Sequence, residues 1–113
     1  MEYNYLPEGT LVEITFVNSH FTDDGLLTAY VPTVDNTICK LFRSIDLESF
    51  PSFRDFTGES SLVKHGSKAT VLKKVGRPYK IKTDSDWNMY DIYDILLDTS
   101  EIRQVFRYNL LKI

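Results

Sequence analysis

Apolar and polar side chains alternate over short stretches through most of this chain of 113 residues. The segment Thr10–Val17 alternates around Leu11 and Ile14 and is rich in β-branched residues, and both features are typical of a strand. Turn residues such as Gly, Asp and Pro interrupt the alternation at short intervals. The pattern predicts an all-β protein with strands at Thr10–Val17, Leu26–Val31, Ile38–Phe42, Ala69–Val75, Tyr79–Lys82, Trp87–Leu97 and Ile102–Tyr108.

Two stretches also allow a helical interpretation. Trp87–Leu97 is dense in aromatic and β-branched residues, which favours a strand, although Asp86 fits the N-cap of a competing helix. In Ser44–Phe56, residues that commonly cap helices accompany apolar anchors, but Pro51 excludes a long helix. We expect a short helical turn in this second stretch.

The two halves of the chain contain similar segments. Ile38–Arg43 matches Ile102–Arg107 at four of six positions, through an Ile, a Leu or Val, a Phe and an Arg. A Gly-led apolar stretch precedes each segment, at Gly9–Ile14 and Gly66–Leu72. The similarity indicates that one small β-unit occurs twice.

The repeat predicts two units, residues 1–57 and residues 58–113. The polar, Gly-containing segment Thr57–Ser61 would mark the boundary between them. Because units of this size are marginally stable alone, we expect the two to pack as one compact body.

The second half carries a family resemblance in the order of its features. It presents a Gly-led strand, a Tyr-rich strand, an acidic turn, another strand and a terminal Leu-x-x-Ile, at Gly66, Tyr93–Leu97, Asp98, Ile102–Phe106, Leu110 and Ile113. In this order it resembles the small SH3-like β-barrels that are common among bacteriophage proteins. It departs from them at Thr99, where such turns commonly have Gly. The segment around Gly66 is also faintly similar to the KOW motif of nucleic-acid-binding barrels, with the second glycine shifted to Gly76.

The resemblance implies two SH3-like barrels or half-barrels in tandem, with a short helical turn between them. It also implies a phage-like accessory protein without catalytic activity. Such a protein would bind another protein, either a host factor or a virion component. This interaction is the leading functional hypothesis.

The net charge of −3 conceals an uneven distribution. Residues 1–63 carry three basic and ten acidic side chains, whereas residues 64–113 carry ten basic and six acidic ones. No acid interrupts the basic series Lys64, Lys68, Lys73, Lys74, Arg77, Lys80 and Lys82. This series predicts a binding site for nucleic acid or for an acidic partner, with Tyr79 available to stack on a base. Two alternatives remain open, because the halves can neutralise each other and lysines can cover exposed strand edges.

A second candidate surface combines aromatic and arginine side chains. Phe50, Phe53 and Phe56 recur every three residues, and Arg43 and Arg107 occupy the same position in the repeated segments. Together they predict a docking patch for a protein partner. Alternatively, the phenylalanines fill the gap between the units, and the arginines form structural ion pairs with Glu13 or another acid.

Catalytic and metal-binding patterns are missing from the sequence. The only histidines are His20 and His65, and the single cysteine, Cys39, lies in a strand pattern typical of a core residue. Asp91 and Asp94 would point to opposite faces of a strand, where we expect them to solvate an exposed surface. We therefore predict no enzyme activity, no metal, no cofactor and no intrachain disulfide.

No apolar run approaches the roughly 20 residues that span a bilayer. The segment Met1–Tyr5 has neither a basic region nor an apolar signal core. We expect a soluble protein that does not bind membranes and acts in the cytoplasm of the host cell, or in the virion if a phage encodes it.

Overall fold

The computed structural model describes residues 3–15, 30–32, 38–48, 56–81 and 85–113. Within these ranges, eight strands form a single antiparallel sheet. They are β1 (Leu11–Ile14), β2 (Tyr30–Pro32), β3 (Ile38–Ile45), β4 (Phe56–Lys64), β5 (Lys68–Gly76), β6 (Ile92–Leu97), β7 (Ile102–Phe106) and β8 (Leu110–Lys112). Short 3₁₀ segments lie at Ser85–Tyr90 and Arg107–Asn109. The all-β prediction is confirmed, and no helix in the described ranges is long and apolar enough to cross a membrane.

The strand order mixes the two halves of the chain. The sheet runs β2–β3–β7–β6–β5–β1–β8, and β4 pairs with the other edge of β3. Strand β1 therefore lies between two strands of the second half, with Val12 opposite Ala69 and Ile14 opposite Leu110. The division at residue 57 stays a prediction, but strands from both sides of it alternate in one sheet.

Residues 57–61, which were expected to mark the boundary between the units, belong to β4. Their polar composition reflects the position of the strand at an exposed margin of the sheet, where side chains other than Phe56 and Val63 need not be apolar. Glycine at position 58 adopts a φ of +83° in this strand, a conformation that favours Gly.

The core lies on both faces of β6. Its residues from Ile92 to Leu97 are buried, except for the half-buried Leu96, although consecutive strand residues point to opposite faces. The register places Ile95 opposite Val71 of β5, and Tyr93 opposite Val105 of β7. The central strand of the described sheet is therefore covered on both sides.

The amino-terminal segment closes one end of this core. Leu6 is buried and its backbone N–H donates to the Tyr93 hydroxyl at 3.2 Å. The Arg107 Nε donates to the Asn4 carbonyl at 2.7 Å, and its guanidinium lies 5.6 Å from the centre of the Tyr3 ring. Residues 3–6 are thus fixed against the last third of the chain.

Three predicted strands differ from the structure. The strand predicted at Ile102–Tyr108 ends at Phe106, because Arg107–Asn109 forms a 3₁₀ segment. Trp87–Leu97 is a strand only from Ile92, because Ser85–Tyr90 forms a 3₁₀ segment in which Trp87 stacks on Tyr90 at 5.6 Å. The predicted strand Tyr79–Lys82 is wrong for Tyr79 and Lys80, which form a turn. The Tyr79 N–H donates to the Leu47 carbonyl instead of to a neighbouring strand.

Other predictions fall partly outside the described residues. In the predicted helical stretch, Ser44 and Ile45 belong to β3, Phe56 belongs to β4, and residues 49–55 lie outside the description. The strand predicted at Leu26–Val31 is described only from Tyr30, where β2 begins.

The two similar segments lie side by side, with Phe42 of β3 opposite Gln104 of β7. Their phenylalanines have different surroundings. Phe42 is half-buried and stacks on Phe56 at 5.7 Å, whereas Phe106 is fully buried and stacks on Tyr108 at 5.4 Å.

Candidate functional site

Arginines form buried ion pairs inside the protein. The Arg77 Nε lies 2.7 Å from Asp91 Oδ1, and Arg77 Nη2 donates to Asn88 Oδ1 at 2.9 Å. Asp94 accepts from Arg43 Nη1 at 3.2 Å. Asp91 and Asp94 are 7% and 6% exposed, so the expectation that they solvate a surface is wrong. Each carboxylate is compensated by an arginine, as buried charges require.

Arg43 and Arg107, which were predicted to contact a protein partner, contribute to internal contacts. Arg43 joins β3 to Asp94 of β6, while its side chain keeps 45% exposure. Arg107 is buried, and it donates to the carbonyls of Asn4 and Leu110. Burial lowers the pKa of Arg107, and the nearby Tyr93 and Tyr3 oppose that effect.

The basic series does not form one continuous strip. Lys73 and Lys74 are consecutive, with Asp94 and Tyr93 as their register partners, so they point to opposite faces of the sheet. The Lys74 ammonium lies 5.9 Å from the centre of the Tyr5 ring. The exposed lysines of the series are Lys64, Lys68, Lys73, Lys74 and Lys80, whereas Lys82 lies outside the described residues.

The predicted aromatic sites are also divided. Tyr79 is 69% exposed on its turn. Phe56 is half-buried against Phe42, and Phe50 and Phe53 lie outside the described residues. Of the three phenylalanines of the expected docking patch, the structure therefore describes Phe56.

Two other tyrosines near the basic series are buried and therefore not available to a ligand. Tyr90 and Tyr93 belong to the core, and desolvation raises the pKa of both phenols. The half-buried Trp87 packs against the same core. These rings stabilise the fold, whereas Tyr79 and Tyr5, which is 62% exposed beside Lys74, are aromatics that a ligand can reach.

A cleft of about 210 Å³ lies between the end of β4, the β4–β5 turn and the β6–β7 hairpin. Its lining residues are Ser61, Leu62, Val63, Lys64, Ser67, Lys68, Leu97, Asp98, Thr99 and Glu101. Val63 and Leu97 are buried, whereas Leu62 is 65% exposed. The cleft thus combines buried and exposed apolar residues with two lysines and two carboxylates.

Hydrogen bonds around Glu101 fix the part of the cleft that the β6–β7 hairpin forms. The Glu101 carboxylate accepts from Thr99 Oγ1, Ser61 Oγ and Arg103 Nη2, each at 2.8 Å. These bonds lower the pKa of Glu101, with Thr99 as the largest cause, followed by Ser61. Arg103 Nε also donates to Ser61 Oγ at 2.9 Å, which ties β4 to the β6–β7 hairpin.

Sequence reasoning did not identify Leu62 or Arg103. Leu62 follows a polar segment whose composition does not indicate a strand, so its strand partner could not be recognised. Arg103 did give a signal, because a charged residue in a largely apolar strand requires a buried partner. Its partners follow no common spacing, because Glu101 lies two residues before Arg103 and Ser61 lies 42 residues before it.

The described residues contain no group of three His, Cys, Asp or Glu side chains close enough to hold a metal ion. His65 is exposed on the β4–β5 turn, and His20 lies outside the described residues. Comparison with known protein families, curated proteins and solved structures finds no match for this chain.

Proposed function

We propose that this chain is a non-catalytic binding protein that acts by contact with another protein. The single observation that carries this proposal is the setting of Leu62. This side chain is 65% exposed on β4, with Lys40 opposite it on β3 and Lys64 two residues further along its own strand. An apolar centre with a charged rim is what protein interfaces use.

The distribution of charge favours a protein over a nucleic acid. A phosphate backbone requires positive groups along one continuous path. Here Lys73 and Lys74 point to opposite faces, and Arg77 is bound to Asp91. The basic series would therefore present only some of its charges to any one strand of nucleic acid.

We further propose that the SH3-like resemblance applies to one interrupted unit. The residues that carry it, Gly66 to Ile113, supply β5, β6, β7 and β8, and β8 returns to pair with β1. The unit would thus include β1 and be interrupted by residues 15–65. A phage-like accessory role, with a host factor or virion component as partner in the host cytoplasm or the virion, accompanies this interpretation.

Two measurements test the proposal. Fluorescence anisotropy with single-stranded and duplex DNA at low and physiological salt should detect no binding that weakens steeply with salt. Affinity capture, followed by reconstitution with the purified partner, should give a stoichiometric complex that Leu62→Asp abolishes. Salt-sensitive DNA binding without any protein complex would contradict the proposal and support nucleic-acid binding instead.

A further inference from the structure

We infer that the cleft beside β4 binds an extended, acidic segment of the partner protein, with an apolar side chain of that segment on Leu62. This inference rests on the proposed function and specifies where and what the protein binds. It depends on the charge around the cleft, on its apolar surface and on the position of β4 in the sheet.

The exposed charge nearest to Leu62 is positive. Lys64 and Lys68 line the cleft, and Lys40 lies opposite Leu62 on β3. In the described part of the chain, none of the three ammonium groups lies within ion-pair distance of a carboxylate. Glu13 is the register partner of Lys68, yet it does not approach within that distance. The lysines are therefore available to carboxylates from outside the protein.

Two carboxylates also line the cleft, Asp98 and Glu101. Asp98 is exposed on the β6–β7 turn, whereas Glu101 is engaged in hydrogen bonds. Glu101 accepts three hydrogen bonds from Thr99, Ser61 and Arg103. Glu59 lies 3.9 Å from the same arginine. Since Arg103 is buried and compensates Glu101 and Glu59, they oppose an incoming acid less than free carboxylates would.

The apolar surface of the cleft favours a ligand that carries apolar groups as well as negative charge. Leu62 is mostly exposed, and the buried Val63 and Leu97 also line the cleft. Covering Leu62 removes apolar surface from water, and a phosphate or a free carboxylate cannot supply that contact. A peptide that carries both acidic and apolar side chains satisfies the lysines and the leucine together.

The position of β4 favours an extended ligand. Among the described strands, β4 pairs with β3 alone, and its residues 57–60 are exposed. An extended segment can lie along such a strand and place alternate side chains toward the cleft. Acidic side chains of the segment would then meet Lys64 and Lys68.

The test is an NMR titration of the full chain, with amide chemical shifts as the readout. The first probe is a synthetic peptide of about ten residues in which Glu and Leu alternate with Ser. The second replaces each Glu by Lys, the third replaces each Leu by Ser, and the fourth is a single-stranded oligothymidylate. We expect the first peptide alone to shift amides of 61–64, 67–68 and 97–101, with weaker binding at high salt.

Matched variants assign the effect to the cleft. Lys64→Glu combined with Lys68→Glu should weaken the first peptide about tenfold or more, because attraction becomes repulsion. Lys73→Glu combined with Lys80→Glu changes the net charge equally but lies outside the cleft, so binding should stay within about twofold of the original. Leu62→Ser should weaken the first peptide and leave the unfolding transition unchanged.

Several outcomes would overturn the inference. Equal weakening by both lysine pairs would show that only net charge matters. Shifts confined to other strands would place the site elsewhere, and equal binding of oligothymidylate would identify a nucleic-acid site. If a captured partner binds the Lys64/Lys68 variant normally, the cleft is wrong while the proposed function stands; if no protein is captured at all, the proposed function itself fails.

Discussion

Asp94 should determine how firmly the β3–β4 hairpin is attached to the rest of the sheet. Its Oδ1 accepts from Arg43 Nη1 at 3.2 Å and from Gln104 Nε2 at 3.1 Å. Gln104 Oε1 in turn accepts from the Ile45 N–H at 2.8 Å. The register between β3 and β7 contains one pair, Phe42 with Gln104, so this polar group supplies much of the connection.

The size of the effect follows from what each substitution leaves behind. Asp94→Asn keeps the shape and an acceptor oxygen but removes the charge. Because the Arg43 side chain is 45% exposed, the ion pair itself contributes at most about 1 kcal/mol, and relief from burying a charge offsets part of that. Asp94→Ala also leaves the buried Gln104 amide without this acceptor, which costs about 2–3 kcal/mol in total. We expect a loss of less than about 1 kcal/mol for Asp94→Asn and of about 2–3 kcal/mol for Asp94→Ala.

Urea unfolding followed by Trp87 fluorescence measures both values, provided that the slope with denaturant is unchanged. Asp98→Ala is the control, because this carboxylate is exposed on the β6–β7 turn, and it should change stability by less than about 0.5 kcal/mol. Hydrogen exchange in Asp94→Ala should accelerate most at β3 and β4. If Asp94→Ala and Asp94→Asn cost the same, the network does not hold the hairpin and the reasoning is refuted.

The remaining predictions concern turns and the cleft wall. Gly58→Ala should destabilise the protein by about 1 kcal/mol more than Gly66→Ala in thermal unfolding. Both glycines have a φ above +80°, but only at Gly58 would a Cβ lie 3.0 Å from the Arg43 side chain. Equal losses of stability would contradict this prediction. Ser100→Gly should stabilise by about 0.5–1 kcal/mol in urea unfolding, since Ser100 has a φ of +70°, and any loss would mean that its conformation is unstrained. Hydrogen bonds hold the pKa of Glu101 below its ordinary value of 4.5, so its contribution to stability is complete above that pH and lost as pH falls through the lower folded pKa. Urea midpoints measured from neutral pH to about pH 3 should fall less steeply for Glu101→Gln, and parallel curves would contradict the assignment.

Alternation, together with the turn residues that interrupt it, predicts several of the strands. It succeeds at Ile38–Phe42 and Ile102–Phe106, where apolar positions recur and turns follow. It fails at Trp87–Tyr90, because the 3₁₀ conformation there depends on tertiary contacts. Arg77, which precedes Asn88 by 11 residues, donates to its side chain and so fixes the 3₁₀ segment before β6.

The candidate site was predictable in its charge and unpredictable in its shape. The lysines of the cleft, Lys64 and Lys68, belong to a basic series that is visible in the sequence. Their placement around Leu62 depends on the pairing of β4 with β3. The polar residues 57–61 concealed that pairing, because an exposed strand and a linker have similar compositions. Register across the sheet, which no local pattern encodes, brings Lys40 opposite Leu62.

The two kinds of basic residue have separate roles in this protein. In the part of the chain that the structure describes, each ion pair uses an arginine and none uses a lysine. One arginine guanidinium can donate several hydrogen bonds, as Arg103 does to Ser61, Glu101 and the Ile102 carbonyl. A lysine ammonium is instead compact and strongly hydrated. Fold stability should therefore depend on the arginines and partner binding on the lysines. Lys64→Glu should leave the unfolding free energy nearly unchanged while it weakens binding, and Arg103→Lys should reduce the unfolding free energy even without any ligand.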